Sequence, residues 1–172
     1  VTVQVPIYNE RYVAQRVIDA VCRLDWPRDR FQVQVLDDST DETQAIARNA
    51  VERWSNLGLD IHYIHRSDRT GFKAGALENG LRSAKGEFVA IFDADFVPPP
   101  NFLKRTLPHL QNPSVAFVQT CWGHVNRSYS LLSFLQSLAI DAHFNVEQFG
   151  RFVGSFWFNF NGTAGVWRRA AI

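Results

Sequence analysis

The sequence contains no methionine and only two cysteines, and its 18 basic side chains face 17 acidic ones, leaving a formal net charge of +1. Each shortage excludes something. A charge this close to balance gives no argument for nucleic acid or an anionic membrane surface as a partner, which would need a local basic patch. Cys22 and Cys121 form neither a CxxC pair nor a zinc-ligand spacing, so both read as buried, reduced thiols. No uninterrupted apolar run approaches the ~20 residues that span a bilayer, and no secretory leader is visible, so the segment reads as soluble. The chain opens inside a strand at Val1 and stops at Ile172 as a helix begins, and it reads as a piece of a longer protein.

What is present is an ordinary globular composition, 46% hydrophobic and 20% charged over 172 residues, enough for one domain with a full core. The N-terminal two thirds alternate strand and helix. "VTVQVPIYNE" reads as a β-branched strand closed by Pro6, followed by a helix with Val13, Val17, Ala20, Val21 and Leu24 at helical spacing. A strand over Phe31–Leu36 leads to a second helix striped by Ile46, Ala50, Trp54 and Leu57, with Ser39 and Glu42 at capping-box spacing and Gly58 at its end. A third strand, Asp60–His65, precedes a helix with Ala74, Leu77, Leu81 and Ala84 on one face, and "EFVAIFD" is the fourth strand. This alternation predicts an open α/β fold with a mostly parallel sheet covered on both faces. A helix over 101–110 and a strand in "SVAFVQT" follow, then a helical stretch and the aromatic run "SFWFNF", which reads as core.

In such sheets ligands bind outside the carboxyl ends of the strands. The polar residues of this chain gather there: Pro6, Tyr8 and Glu10 after the first strand, Asp37 and Asp38 at the second, Arg66 to Lys73 after the third, Asp93 and Asp95 at the fourth. An Asp-x-Asp at a strand end offers hard oxygen ligands for Mg²⁺ or Mn²⁺, although a lone DxD also fits a capped turn. Asp37 and Asp38 suit either a ribose or base contact or the N-terminus of the next helix. Lys73, Gly71 and Gly75 open a helix where phosphate is favoured. Neither a Walker loop nor GxGxxG occurs, which argues against a P-loop NTPase or a dinucleotide dehydrogenase. His62, His65, His124 and His143 have no metal-ligand spacing and read as structural.

The stretches "VPIYNE", "VLDDSTD", "KAGALENG", "FDADF", "VQTCWGHVN" and "FNGTAGVWRR", in this order from Val5 to Arg169, resemble the family-2 inverting glycosyltransferases, most closely the cellulose-synthase and mannan-synthase-like processive branch. The resemblance implies a glycosyltransferase A-type, Rossmann-like three-layer α/β/α domain over residues 1–172, with a nucleotide-sugar half at 1–98 and an incomplete acceptor side at 99–172. It implies a donor of UDP-glucose or GDP-mannose type bound by Pro6, Tyr8, Glu10, Asp38 with Asp37 supporting it, Lys73 and Asp93. Mg²⁺ or Mn²⁺ would sit on Asp93 and Asp95, and a glycan or lipid acceptor would meet Gln119, Trp122, Asn161, Gly162 and Thr163. The implied activity is metal-dependent hexose transfer with inversion in polysaccharide or glycolipid synthesis, at the cytosolic face of a membrane that flanking helices of the parent chain would cross. Residues 129–158 would rest on that membrane. The family's Thr-Glu-Asp base and Gln-x-x-Arg-Trp motifs do not occur here, so the resemblance places them downstream of Ile172 and implies a fragment with little turnover alone. Two rivals stay open: a Mg²⁺-binding receiver-like signalling module and a catalytically dead nucleotide-sugar binding domain.

Overall fold

A computed structural model describes all 172 residues. Six strands form one sheet in the order β3-β2-β1-β4-β6-β5. β1 (Thr2–Ile7), β2 (Gln32–Asp37), β3 (Asp60–His65) and β4 (Phe88–Ile91) are parallel, as the alternation with helices requires. β6 (Gly165–Arg168) runs antiparallel between β4 and β5 (Phe117–Gln119). The two proposed halves therefore share one sheet, and the C-terminal segment "GVWR" is a central strand that the sequence pattern did not disclose.

Pro6 does not close β1 but lies within it, paired in register with Leu36. The backbone explains why this is tolerated. Gln4 turns its carbonyl toward β4, accepting from the Phe92 amide, whereas Ile7 turns its carbonyl toward β2, accepting from Asp38. By alternation the missing N–H of Pro6 points to the β4 side, where pairing has already ended at Gln4–Ile91.

One face of the sheet carries α1 (Ala14–Cys22), α2 (Thr43–Asn56) and α4 (Phe102–Thr106), packed on Val3, Val5, Ile7, Val33 and Val35. α4 tightens into a 3₁₀ turn over Leu107–Gln111, within the expected helix. α2 ends before Gly58 (φ 81°) as expected, but its buried residues are Thr43, Ala47, Ala50 and Val51, and Leu57 is exposed. The capping box does not form: Ser39 Oγ accepts from the Asn9 amide, and Asp41 Oδ1 accepts from the Thr43 amide instead.

The other face presents Thr2, Gln4, Gln32 and Gln34, all buried under α3 (Phe72–Leu81). Alternating Val and Gln is the pattern of a strand with one wet face, yet here the polar face is dry and internally bonded. Gln4 Nε2 donates to Gln34 Oε1 at 3.0 Å, Thr2 Oγ1 to Gln32 Oε1 at 2.8 Å, and Gln34 Nε2 to Ser83 Oγ at 3.1 Å. Buried amides require such partners. α3 approaches closely enough that a Cβ on Gly80 would lie 2.6 Å from Gln4 Nε2, so its buried residues are Ala76 and Gly80; of the expected stripe, Ala84 is buried just past the helix while Ala74 is exposed.

The last third is looser. α5 (Leu131–Ala142) starts at Ser130, whose Oγ accepts from the Ser133 amide, and continues through a π-helical turn, His143–Gln148, into α6 (Phe149–Val153). Phe158 and Phe160 pack on Phe117, but Phe156 and Trp157 are exposed, so only part of "SFWFNF" is core. Cys22 is buried, which pushes its thiol up to about 12, while Cys121 is exposed, contrary to the expectation for both. No helix is long and apolar enough to cross a membrane.

Candidate active site

The register brings Ile7, Asp37 and His65 side by side at the carboxyl ends of β1, β2 and β3. Beyond them opens a cleft of about 280 Å³ lined by Pro6, Tyr8, Glu10, Asp38, Lys73, Asp93 and Asp95 among its eleven residues. Seven of the eight residues expected around donor and metal thus converge from four separate loops. Asp37 does not line the cleft. Fully buried behind Asp38, it accepts hydrogen bonds from Tyr63 Oη at 2.6 Å and the Ser39 amide at 2.9 Å, a supporting position.

Asp38 is held by Arg66, whose Nε donates to Oδ1 at 2.8 Å and Nη2 to Oδ2 at 2.5 Å. The same guanidinium ties down the loop carbonyls of Thr70 and Phe72. Arg69 completes this wall: its guanidinium carbon lies 3.3 Å from the centroid of the Tyr8 ring, a stacked cation–π contact, and it forms no ion pair. Of the stretch 66–73 the sequence singles out Lys73 and Gly71, and not the two arginines. The density of cations in "RSDRTGFKAG", directly after a strand, was the available signal for Arg66 and Arg69.

At the other end, Lys73 Nζ stands 2.5 Å from Asp93 Oδ1 and donates to the Gly162 carbonyl at 2.9 Å. Burial holds the Asp93 carboxyl above its usual range, opposed by Lys73 and reinforced by the charge of Asp95. Glu10 is raised for the same first reason, with Asp95 and Asp93 adding repulsion against the Tyr8 amide and Lys73. Asp95 is exposed at the rim. Three acidic groups and one ammonium in a partly dry cleft leave excess negative charge, which a divalent cation would relieve. The donor set fits such an ion: hard carboxylate oxygens, with no group of three His, Cys, Asp or Glu disposed as a complete ligand set, so water and phosphate would complete the sphere.

The expected acceptor residues surround the same end but are largely committed to one another. Thr163 Oγ1 accepts from the Asp93 amide, and Gln119 bridges the Asn161 amide and the Thr163 carbonyl. Gln119 is therefore a strut behind the 161–163 segment, outside the residues that line the cleft. Asn161 Oδ1 accepts from Gln148, while its Nδ2 is buried without a partner. Trp122 packs edge-on against Phe96 at 5.1 Å and tilted against Phe144 at 5.3 Å, with Nε1 also buried and unpartnered. Asn9 and Phe72, with left-handed φ of 56° and 49°, adjoin the lining residues Tyr8, Glu10 and Lys73 in the chain, whereas the other two such residues, Ser155 and Ala164, do not line the cleft. The four histidines read as structural each lie beside an acid: His62 with Asp60, His65 with Asp37, His124 with Asp141 and His143 with Glu147.

The chain matches the profile of glycosyl transferase family 2 over residues 2–171. Across its whole length it is 50% identical to a probable glucomannan 4-beta-mannosyltransferase 6 of Oryza sativa subsp. japonica, covering 31% of that protein. It is 48% identical to glucomannan 4-beta-mannosyltransferase 2 of Arabidopsis thaliana, covering 33%. The chain thus spans about a third of the length of these relatives. The mannosyltransferase PcManGT from Pyrobaculum calidifontis, solved in complex with GDP-Man and Mn²⁺, superposes with a TM-score of 0.62 at 35% identity, over 74% of this chain and 36% of that one. Glucosyl-3-phosphoglycerate synthase from Mycobacterium tuberculosis, 21% identical with a TM-score of 0.59, covers 98% of this chain and 56% of its own and shares the fold.

Proposed function

Because the chain belongs to glycosyl transferase family 2, we propose that its cleft binds a nucleotide-sugar donor and serves hexose transfer, with inversion, to an acceptor hydroxyl in the synthesis of a β-linked glycan. The observation that carries this reading is the convergence in one cleft of a stacking and hydrogen-bonding wall, Tyr8 and Asp38, with an acidic and cationic end formed by Asp93, Lys73 and, at the rim, Asp95. GDP-mannose is the proposed donor, since the relatives near 50% identity are mannosyltransferases and the 35%-identical structure holds GDP-Man. Tyr8 offers a ring face to the base, and Asp38, fixed by Arg66, accepts from its N–H edge. Lys73 faces the diphosphate from the first turn of α3. Asp93 and Asp95 hold the divalent cation, proposed as Mn²⁺ because that neighbour was solved with it.

When bound, the cation supplies charge to the departing nucleoside diphosphate. The chain's own residues orient and screen: Thr163 Oγ1 fixes the Asp93 backbone, and Gln119 holds the floor on which the acceptor would lie. Trp122 and Asn161, with their unpartnered buried donors, are the proposed contacts for acceptor hydroxyls. The base that takes the acceptor proton is proposed C-terminal to Ile172, in a parent chain that also supplies membrane attachment on the cytosolic side. The length of the relatives supports a longer parent. A receiver-like module is disfavoured by the family match and by β1, which ends in Pro6-Ile7 and is followed by Tyr8, where such a module carries acidic residues.

Titration with GDP-mannose and UDP-glucose, with and without Mn²⁺, tests the reading. Asp95→Asn should lower Mn²⁺-dependent donor affinity by about a hundredfold and leave the fold unchanged by circular dichroism. Asp38→Ala should weaken nucleotide binding by about tenfold, with or without metal, through loss of a charged hydrogen bond. Metal-dependent binding that survives Asp95→Asn unchanged would sink the cation assignment.

A further inference from the structure

We propose that Lys73 is a stand-in cation: in the absence of ligand it occupies the Asp93 carboxylate, and it yields that carboxylate to a divalent cation as a nucleoside diphosphate offers it another anion. The inference rests on the donor reading above and adds a coupling to it. Lys73 Nζ lies 2.5 Å from Asp93 Oδ1, one of the two carboxylates assigned to the cation. An ammonium and a divalent ion at one carboxylate repel each other, so the two compete for it. No second cation takes over this duty, because Arg69, the other cation lining the cleft, is stacked on Tyr8 and forms no ion pair. A four-carbon stem rooted at the start of α3 lets Nζ change partners without moving the helix.

The exchange reaches further than the cation site. Lys73 Nζ also holds the Gly162 carbonyl at 2.9 Å, and the next residue, Thr163, bonds the Asp93 amide and the Gln119 side chain. Departure of Nζ toward a diphosphate therefore frees a carbonyl in the segment between the donor cleft and the proposed acceptor floor. Loading of the donor is in this way transmitted to residues 161–163. The coupling is reciprocal: nucleotide strengthens cation binding as much as cation strengthens nucleotide binding.

The test is a Mn²⁺ titration of this chain, followed by the electron paramagnetic resonance signal of free aqueous Mn²⁺, with and without GDP and corrected for the Mn²⁺ that GDP binds in solution. Wild-type should bind Mn²⁺ alone weakly and gain about tenfold in affinity with GDP. Lys73→Met should bind Mn²⁺ alone about tenfold more tightly than wild-type, and gain less from GDP. Lys73→Gln repeats that test with a polar, uncharged side chain, and Lys73→Arg, which keeps the charge, should show no increase. The proposal is overturned if Lys73→Met and Lys73→Gln bind Mn²⁺ alone no more tightly than wild-type, or if Lys73→Arg gains as much as they do. If neither GDP nor UDP binds any of these proteins while Lys73→Met still gains Mn²⁺ affinity, the donor reading falls and the exchange at Asp93 stands.

Discussion

α1 and α5 show how differently the two sides of this molecule are made. In α1, Ala14, Val17, Ile18 and Val21 are completely buried against β1 and β2, and the helix follows its strand by one short loop. In α5 the one buried residue is Ser137, while Leu131, Leu132, Leu135 and Leu138 face outward. The side proposed to bind the donor thus draws its stability from contacts made within this chain. On the side proposed for the acceptor large apolar residues of α5 remain exposed, and order comes from aromatic pairs such as Phe117 with Phe158 and Phe160, joined by polar ties such as Gln119 to Asn161 and Gln148 to Asn161. A cleft whose walls are fixed from behind, and beside it a surface held by aromatic pairs and a few side-chain amides, are the two products of that difference.

The comparison can be broken most directly by equal truncations on its two sides. Ile18→Ala should cost about 2–5 kcal/mol, because it removes completely buried methyl groups and leaves a cavity. Leu132→Ala, at 67% exposure, should shift stability by no more than about 0.5 kcal/mol. Urea unfolding midpoints measure both, and similar losses would show that α5 is packed as tightly as α1. A smaller effect sharpens the donor side itself. Gly80→Ala should destabilise by about 1 kcal/mol, since the added methyl meets the ends of the buried Gln4 and Leu36 side chains inside contact distance and must displace them, a cost the better helix propensity of alanine offsets in part. Retained stability there would mean that α3 can lift off the glutamine layer.

Legibility followed the same line. β1 to β4 and their helices were readable because period and punctuation are local: β-branched runs, helical spacing and Gly58 at a helix end. Residues aimed at strand ends were readable for the same reason, and the strand register then carried Asp38, Asp93 and Asp95 into one cleft. Asp37 was legible as acidic but not as buried, since its partners Tyr63 and Ser39 come from another strand and a turn. β6 was not legible, because a four-residue strand is defined by the edge of β4 and not by its own pattern. The stripe on α3 was misread because a helix facing a glutamine layer buries its smallest residues instead of its most apolar ones.

Glu10 tests the smallest contrast, between a carboxylate kept for a ligand and one kept for the fold. Its folded carboxyl lies above the ordinary range, first through burial and then through Asp95 and Asp93. A raised carboxyl binds its proton more tightly folded than unfolded, so the chain loses stability as pH rises from the unfolded value through the folded one. Above that window the loss is constant; below the unfolded value it vanishes. Glu10→Gln removes the ionisation, so the variant should melt at a higher temperature than wild-type near neutral pH and together with it in acid, below the unfolded carboxyl value. Thermal melts across the acid range read this directly. A variant that melts lower than wild-type at neutral pH would mean that the Glu10 carboxylate stabilises the empty cleft, for which its contact with the Tyr8 amide, at 3.3 Å, is the available source.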